Sequence, residues 1–480
     1  MALAGLLTGK HGTEFLGFTQ RGGSLRPIVI AVVVLAALCT VLPAQYFETN
    51  IPVPQNPDVM GWNPANDRVY CAVGYPDAFG AAAVIDGANN VLLDSVRLRC
   101  QMPGGIAVDA GRNRVFFAGS SYYPVEESLI TVISGANDSI LREIPVGGAP
   151  KAICYNPVGN KLYCASQNAS NIVIVDCSTY TIRATRSVPS GPFDMLYAPE
   201  VNKVYCAERG TRGSPNFMVT VIDGTTDSIL RTVFVGHYVH AICYNPVDRK
   251  VYSADEFDGT VTVIDATVDT VLARITVGGS PFSLCWNPLL DRVYCADASL
   301  GSMSVIDGVT DELAGSVALA GPAWQSLVDS ARGKLYCTIY LDNKVAVLDA
   351  RTNALLETID VGQSPHYMCH NPVDGRVYVG NSEEKTVSVI RDSTSGGVED
   401  VAPDQARRQV AVAVAPNPSS GLLNVRLPDG LGRTRVSLYD VQGNAAALLQ
   451  PGANDLRRLP PGTYFLRGEG IRETAKVILR

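Results

Sequence analysis

The chain has 480 residues, a formal net charge of −7 and 46% hydrophobic residues. This acidic balance argues against a broad nucleic-acid-binding surface, which needs clustered lysine and arginine, so no nucleic-acid partner is expected. The hydrophobic fraction is ample for a folded core, and the 44 glycines and 29 prolines indicate many turns rather than disorder.

An apolar run at residues 28–42 follows Arg21 and Arg26 and precedes Pro43 and Ala44. Its length suits the hydrophobic region of a signal peptide and is short for a membrane span. We therefore predict a signal peptide over residues 1–45, with an uncleaved amino-terminal anchor as the alternative. The protein is expected to be exported, and to contact a membrane only through this segment.

Eight copies of one pattern fill residues 46–391, and each copy has an aromatic residue in its second strand. These anchor residues are 42 to 47 positions apart, and they are Tyr70, Phe116, Tyr163, Tyr205, Tyr252, Tyr294, Tyr336 and Tyr378. A period of about 40–45 residues with several short strands per unit is typical of β-propeller blades. The sequence therefore predicts an all-β fold, an eight-bladed β-propeller.

The two ends of the repeat region predict how the ring closes. The eighth unit stops after its third strand, Val387–Ile390, so one strand is missing. The segment that begins at Phe47 matches residues 356–365 if one residue is inserted before Ile51. We therefore expect the amino-terminal strand to complete the last blade, with Phe47, Ile51 and Val53 buried there.

The strand patterns resemble the YVTN β-propeller repeat family, whose consensus runs Tyr-Val-Thr-Asn, then Val-Ser-Val-Ile-Asp, then Thr-Ile-x-Val-Gly. The unit of Tyr252 follows it through Gly259-Thr-Val-Thr-Val-Ile-Asp265, whereas Tyr294-Cys-Ala-Asp297 departs from the first phrase. The resemblance covers residues 46–391 and implies one large propeller domain. Members of the family are often seven-bladed, so seven blades are the alternative count.

The carboxy-terminal region has a different composition and strand pattern. Residues 392–409 are polar and predict a linker. Residues 410–480 contain four landmarks in order, which are 415–421, 435–443, 459–467 and 476–480. These landmarks resemble the carboxy-terminal sorting domain of type IX secretion, a small immunoglobulin-like β-sandwich, and a generic β-sandwich is the alternative.

This second resemblance implies a partner and a location. The partner is the type IX secretion machinery, reached through residues 410–480. The location is the cell surface or the extracellular medium of an outer-membrane-bearing bacterium.

Eleven of the 12 cysteines lie beyond the leader, and most recur at two positions of the repeat. Cys154 with Cys164, and Cys285 with Cys295, are expected to face each other across a hairpin. Disulfides are an open alternative in an exported protein. We expect free buried thiols, because directly opposed strand positions fit a disulfide poorly. No cysteine spacing predicts a zinc or haem site, and we expect no cofactor and no metal.

One aligned column predicts a ligand site. The residue that opens each first strand should lie at one rim of the central channel, together with loops such as 75–79, 122–126, 208–217 and 255–258. The predicted ligand-binding members of this column are Asp58, Lys151, Phe193, His240, Phe282, Trp324 and His366. Apolar surface with a few polar groups is usual in binding sites. The alternative is that the aromatic rings merely plug the channel.

The sequence contains no catalytic motif, so we expect no enzymatic activity. The favoured function is an exported cell-surface or secreted binding module for a protein or glycan ligand. The alternatives are a propeller lyase or hydrolase that uses rim residues, and a structural envelope protein.

Overall fold

The computed structural model describes residues 45–75, 78–121, 127–210 and 217–392 of an amino-terminal unit. In a separate carboxy-terminal unit it describes residues 413–415, 422–426, 436–439, 445–449, 452–457, 459, 462–468 and 475–479. Apart from Gln45 and Asp392, the predicted signal peptide and the predicted linker lie outside the described residues.

The amino-terminal unit contains eight four-stranded antiparallel sheets, and each sheet is one blade. Blade 1 consists of β2 (Pro57–Asn63), β3 (Arg68–Tyr75), β4 (Ala78–Asp86) and β5 (Leu92–Arg97). Blade 2 consists of β6 (Met102–Asp109), β7 (Arg114–Ser121), β8 (Glu127–Ser134) and β9 (Ile140–Pro145), with a short 3₁₀ turn at Ala110–Arg112. Blade 3 consists of β10 (Pro150–Asn156), β11 (Lys161–Ser166), β12 (Asn171–Asp176) and β13 (Thr181–Ser187). Blade 4 consists of β14 (Pro192–Ala198), β15 (Lys203–Glu208), β16 (Met218–Asp223) and β17 (Ile229–Phe234).

The next four blades repeat this arrangement, and the last of them includes a strand from the start of the chain. Blade 5 consists of β18 (Val239–Asn245), β19 (Lys250–Asp255), β20 (Thr260–Asp265) and β21 (Thr270–Thr276). Blade 6 consists of β22 (Pro281–Asn287), β23 (Arg292–Asp297), β24 (Ser302–Asp307) and β25 (Glu312–Ala318). Blade 7 consists of β26 (Ala323–Asp329), β27 (Lys334–Ile339), β28 (Lys344–Asp349) and β29 (Leu355–Asp360). Blade 8 consists of β30 (Pro365–Asn371), β31 (Arg376–Asn381), β32 (Thr386–Asp392) and β1 (Gln45–Pro52).

The eight-bladed prediction is therefore confirmed, and the seven-bladed alternative is wrong. Burial explains the strand compositions. The third strand of blade 5, β20, is buried along its centre on both faces, as an apolar strand packed between neighbouring blades must be. The fourth strand, β21, is largely exposed, which is why Thr and Arg are tolerated in it.

The anchor tyrosines hold neighbouring blades together through a recurrent polar contact. The hydroxyl of Tyr163 donates to Asp227 of the next blade at 2.7 Å, and Lys161 Nζ lies 2.7 Å from the same carboxylate. Tyr205 donates to Asp269 in the same way at 2.8 Å. The acceptor closes the turn between the third and fourth strands, where the backbone has positive φ. Asp and Asn tolerate that conformation well, so the turn and the contact select the same residues.

The amino-terminal strand completes blade 8, as the sequence predicted. β1 pairs with β32 in antiparallel register from Gln45↔Asp392 to Pro52↔Thr386. Ile51 and Val53 are buried. The prediction for Phe47 is wrong, because its side chain is 41% exposed.

A β-bulge explains the exposure of Phe47. The register of β1 shifts between Phe47 and Thr49, so Phe47 pairs with Ile390. In blade 7 a bulge at the same place leaves Leu355 paired with Leu348, and Leu355 is exposed as well. Phe47 is thus equivalent to Leu355 rather than to Leu356, and no inserted residue is needed before Ile51. A bulge reverses the face to which the following side chains point.

The cysteine register also differs from the expectation. Cys164 pairs with Ile153, and Cys154 pairs with Tyr163, so the two cysteines lie on opposite faces of blade 3. Cys295 pairs with Leu284 in the same way in blade 6. All eleven described cysteines are free thiols, as expected. The reason is this one-residue offset, because cysteines on opposite faces of a sheet cannot approach each other.

The carboxy-terminal unit is also built of strands. One sheet has the order β33 (Ala413–Ala415), β34 (Leu422–Arg426), β37 (Gly452–Asp455). The other has the order β36 (Ala445–Leu449), β35 (Val436–Tyr439), β38 (Gly462–Gly468), β39 (Ala475–Leu479). The immunoglobulin-like sandwich stays a prediction. Among the residues described in either unit, no helix has the length and apolarity needed to cross a bilayer.

Candidate functional site

The candidate site is the mouth of the central channel, where the first strands of the blades begin. The inner strands converge there because each blade starts with its innermost strand and the blades follow one another around the axis. Their opening residues enclose a cavity of about 390 Å³, which lies within the usual range of small-molecule pockets, about 300–1,000 Å³. Lys151, Phe193, His240, Phe282 and Trp324 from the predicted column all line it.

Five aromatic rings form a continuous arc at this mouth. The arc consists of Phe193, His240, Phe282, Trp324 and His366, which come from blades 4, 5, 6, 7 and 8. Successive ring centroids are separated by 5.4, 3.4, 4.4 and 4.3 Å. The rings of Trp324 and Tyr340 meet edge to face at 5.2 Å. Phe282 is 9% exposed, whereas the other four members of the arc are partly exposed.

Both histidines of the arc are neutral near physiological pH. Burial lowers the pKa of His240 to about 3, and the positive charges of Arg209 and Lys151 act in the same direction. His240 Nδ1 donates to the carbonyl of Phe282 at 2.9 Å, because a carbonyl oxygen can only accept. Burial also lowers the pKa of His366. The arc is therefore an uncharged aromatic surface.

Two cations lie at the blade 3 and blade 4 end of the arc, around the ring of Phe193. The guanidinium of Arg209 lies 4.3 Å from the ring centroid of Phe193 and 3.9 Å from that of Tyr238. Lys151 Nζ is 5.5 Å from the centroid of Phe193. Arg209 pairs with Glu256 at 3.5 Å, and burial lowers the pKa of its guanidinium. These contacts have the geometry of cation–π interactions.

Two carboxylates and a phenol lie beside the arc, Asp58 in the opening column itself and Asp194 and Tyr367 one position further along their strands. The carboxylate of Asp194 accepts the backbone N–H groups of Met195 at 2.8 Å and Ile242 at 3.0 Å. Burial raises the pKa of Asp194 to about 6. Burial likewise raises the pKa of Asp58 to about 6, although the charge of Lys151 opposes this rise. Burial raises the pKa of Tyr367, and the nearby negative charges of Asp58 and Asp194 raise it further.

Sequence reasoning located the arc but missed residues around it. Asp58 and His366 do not line the cavity themselves, whereas their neighbours Val59 and Tyr367 do. Asp194, Gln325 and Tyr367 occupy the next aligned column, so aligning one position further would have found them. Arg209, Tyr238 and Tyr340 lie on connections between strands, where the repeat alignment gives no signal. Parts of the rim loops, 76–77, 122–126 and 211–216, lie outside the described residues.

The acidic loop 255–258 has structural contacts of its own. The buried carboxylate of Asp255 accepts the hydroxyls of Ser253 at 2.9 Å and Thr262 at 2.6 Å. Asp258 instead lies 2.6 Å from Nδ1 of His237. With Glu256 paired to Arg209, the three carboxylates of this loop serve three different sets of partners.

No protein-family model matches the chain, and a search of curated proteins finds no significant relative. The repeat architecture and the mouth geometry therefore carry the functional argument.

Proposed function

We propose that this protein is an exported binding module of the YVTN-like propeller type, and that its ligand binds at the channel mouth without undergoing a reaction. The observation that carries the proposal is the arc of five rings from five successive blades, in which Trp324 is partly exposed between Phe282 and His366. Stacking of a ligand ring on such a surface contributes roughly 0.5–1.5 kcal/mol beyond the area buried. Sugars and aromatic side chains of a partner protein both present suitable faces.

Substitution of Trp324 by Ala tests the proposed site. Ligands are first identified by screening the protein against glycan and small aromatic panels. Trp324→Ala should then weaken binding by roughly tenfold, through loss of stacking and of contact area. The melting temperature should change little, because the ring is partly in solvent. Trp286→Phe is the matched control, since Trp286 binds Asp291 at the opposite end of its strand through Nε1, 2.9 Å away. Equal binding by the Trp324 variant would place the site elsewhere.

The proposal also includes a route and a destination. We infer that residues 1–45 direct export and that residues 410–480 engage the type IX secretion machinery, which leads to the cell surface or the medium. The support is the order of the four carboxy-terminal landmarks and the strand content of that unit.

A reporter fusion tests this route. A soluble reporter with a signal peptide and residues 410–480 should reach the surface of a host that has type IX secretion. The same fusion without residues 476–480 is the control, because it lacks the last landmark. Retention of the complete fusion in the periplasm, while the host exports its own cargo, would contradict the proposal.

A further inference from the structure

The two cations beside Phe193 have donor groups without acceptors. Among the described residues, Lys151 Nζ has no hydrogen bond and no ion pair within 4.0 Å, although its charge acts on Asp58 and His240. Arg209 Nε is buried and has no hydrogen-bond partner in the same part of the chain. A buried donor left unsatisfied costs about 1–3 kcal/mol in a typical protein, so Arg209 Nε favours a ligand acceptor nearby. The ammonium group of Lys151 is partly exposed at the cavity and is open to a ligand.

Two of the carboxylates at the mouth, in contrast, are already engaged. Asp194 accepts two backbone N–H groups, and the Glu256 carboxylate pairs with Arg209. A ligand cation would be expected to bind above an aromatic ring. The guanidinium of Arg209 already lies against the rings of Phe193 and Tyr238. The unsatisfied groups therefore favour an anionic ligand over a cationic one.

Building on the proposed function, we propose that the mouth binds a six-membered ring compound that carries a carboxylate, with the ring on the aromatic arc and the carboxylate at Lys151. Lys151 is adjacent to Phe193, so one ligand can reach both the rings and the ammonium group. Gly104 separates Asp58 from Lys151 in the column and presents no side chain to block the approach. A carboxylate-bearing aromatic ring and a uronic acid sugar share this chemistry.

Asp58 acts as an internal competitor for Lys151. The groups facing Asp58 are Lys151, Tyr367 and the thiol of Cys71. Because burial raises the pKa of Asp58 to about 6, it is ionised at neutral pH and becomes neutral under mildly acidic conditions. Loss of its charge removes a negative charge near Lys151 that would repel a ligand carboxylate. Affinity for a carboxylate should therefore increase as pH falls from about 7.5 to about 5, where a carboxylic acid with a pKa near 4 stays ionised.

The other titratable groups of the mouth must be separated from Asp58 in the pH dependence of ligand affinity. Burial lowers the pKa of His240 to about 3, so His240 stays neutral across this range, and burial also lowers the pKa of His366. Asp194 titrates in the same range as Asp58, but it is bonded to backbone amides rather than to Lys151. An Asp194→Asn variant therefore separates its contribution from that of Asp58.

The test compares two matched pairs of probes by calorimetry on the full chain. Benzoate is paired with benzyl alcohol, and glucuronate is paired with methyl glucoside. In at least one pair the acid should bind about tenfold more tightly than its neutral partner, and about tenfold more tightly at pH 5 than at pH 7.5. The pair that shows the difference tells whether the ligand ring is aromatic or a sugar.

Three variants complete the test. Lys151→Met should remove the preference for the acid, and Asp58→Asn should give the acidic-pH affinity at both pH values. Lys385→Met is the control, because Lys385 is exposed on a loop of blade 8 on the same face but does not line the cavity. Equal binding of acid and neutral probes would overturn the anionic preference while leaving the proposed function intact. Failure of all four probes to bind at millimolar concentration would also overturn it, whereas the Trp324 experiment tests the site itself.

Discussion

At the scale of single residues, the anchor tyrosines do more than fill space between blades. Six of the seven anchor tyrosines donate a hydrogen bond to the next blade. One of these six is Tyr378, which donates to Asn90 of blade 1 at 2.8 Å and so joins the last blade to the first. Tyr336 is different, because its hydroxyl is buried without a partner in the described residues. Blade 8 has no turn between its third and fourth strands, since those strands come from the two ends of the repeat region. The acceptor of Tyr336 is therefore missing.

This difference predicts opposite outcomes for the same substitution. Tyr163→Phe removes a hydrogen bond to the charged, buried Asp227 and should destabilise the protein by about 1.5–3 kcal/mol. Tyr336→Phe removes only an unsatisfied hydroxyl and should leave the stability unchanged or slightly higher. Denaturant unfolding of both variants gives the comparison. Equal losses in the two variants would show that the hydroxyls play no part in holding the blades together.

At the scale of elements, the bulge in the outer strands determines which side chains of β1 are buried. Ile51 pairs with Val387 and packs against Val389 and other core residues, whereas Phe47 lies on the exposed side. Ile51→Ala should cost about 2–5 kcal/mol, as truncation of a buried Ile usually does. Phe47→Ala should change the free energy of unfolding by less than about 0.5 kcal/mol. Similar losses in both variants would contradict the observed register.

The sequence predicted the closing strand but not its register, and the reason is local. The sequences Phe47-Glu-Thr and Leu356-Glu-Thr are similar, so sequence similarity favours the alignment of Phe47 with Leu356. The backbone instead aligns Phe47 with Leu355, because both precede a bulge. A bulge depends on the partner strand and on twist, and neither can be read from a single strand. The same limit misplaced Cys154 and Cys164, whose pairing is offset by one residue.

The sequence also predicted only part of the candidate site. The column that contains Trp324 and His366 was found because it belongs to the repeat. Tyr238 was missed, and Arg209 was included only as part of the rim loop 208–217, because both lie on connections whose sequences differ from blade to blade. Repeated positions can be compared with one another within a single chain, whereas a unique loop residue has no counterpart.

At the scale of the whole molecule, strand order determines where the chain leaves the propeller. First strands begin at the mouth, so the turns that join third to fourth strands lie on the opposite face. Gln45 and Asp392 pair at the corresponding place in blade 8. Gln45 and Asp392, the first and last described residues of the propeller, therefore lie on the face opposite the mouth.

The dependence of stability on pH is also a property of the whole propeller. Burial raises the pKa values of Asp58, Asp194 and Asp255 to about 6 and that of Glu208 to about 7. The folded state thus holds protons that the unfolded state has released, so these groups make stability fall as pH rises through this range. His240 and His366 act in the opposite sense, because burial lowers their pKa values. Above about pH 6.5, where the unfolded histidines are also neutral, Glu208 should dominate.

Glu208→Gln tests whether Glu208 dominates the pH dependence of stability. A Gln side chain can keep the hydrogen bonds that Glu208 makes. The Glu208 carboxylate accepts the Ser190 amide at 2.8 Å and the hydroxyl of Thr220, which can turn to accept from a Gln side chain. At about pH 7.5 the variant should be more stable than the parent by about 1–3 kcal/mol, since it no longer buries a carboxylate whose pKa burial raises to about 7. The advantage should shrink as pH falls and disappear below about pH 4, because Glu208 is then protonated in both the folded and the unfolded parent. Glu312→Gln, at an exposed carboxylate, should leave the profile of melting temperature against pH unchanged. A Glu208 variant that kept the slope of the parent above about pH 6.5 would show that another group carries the proton.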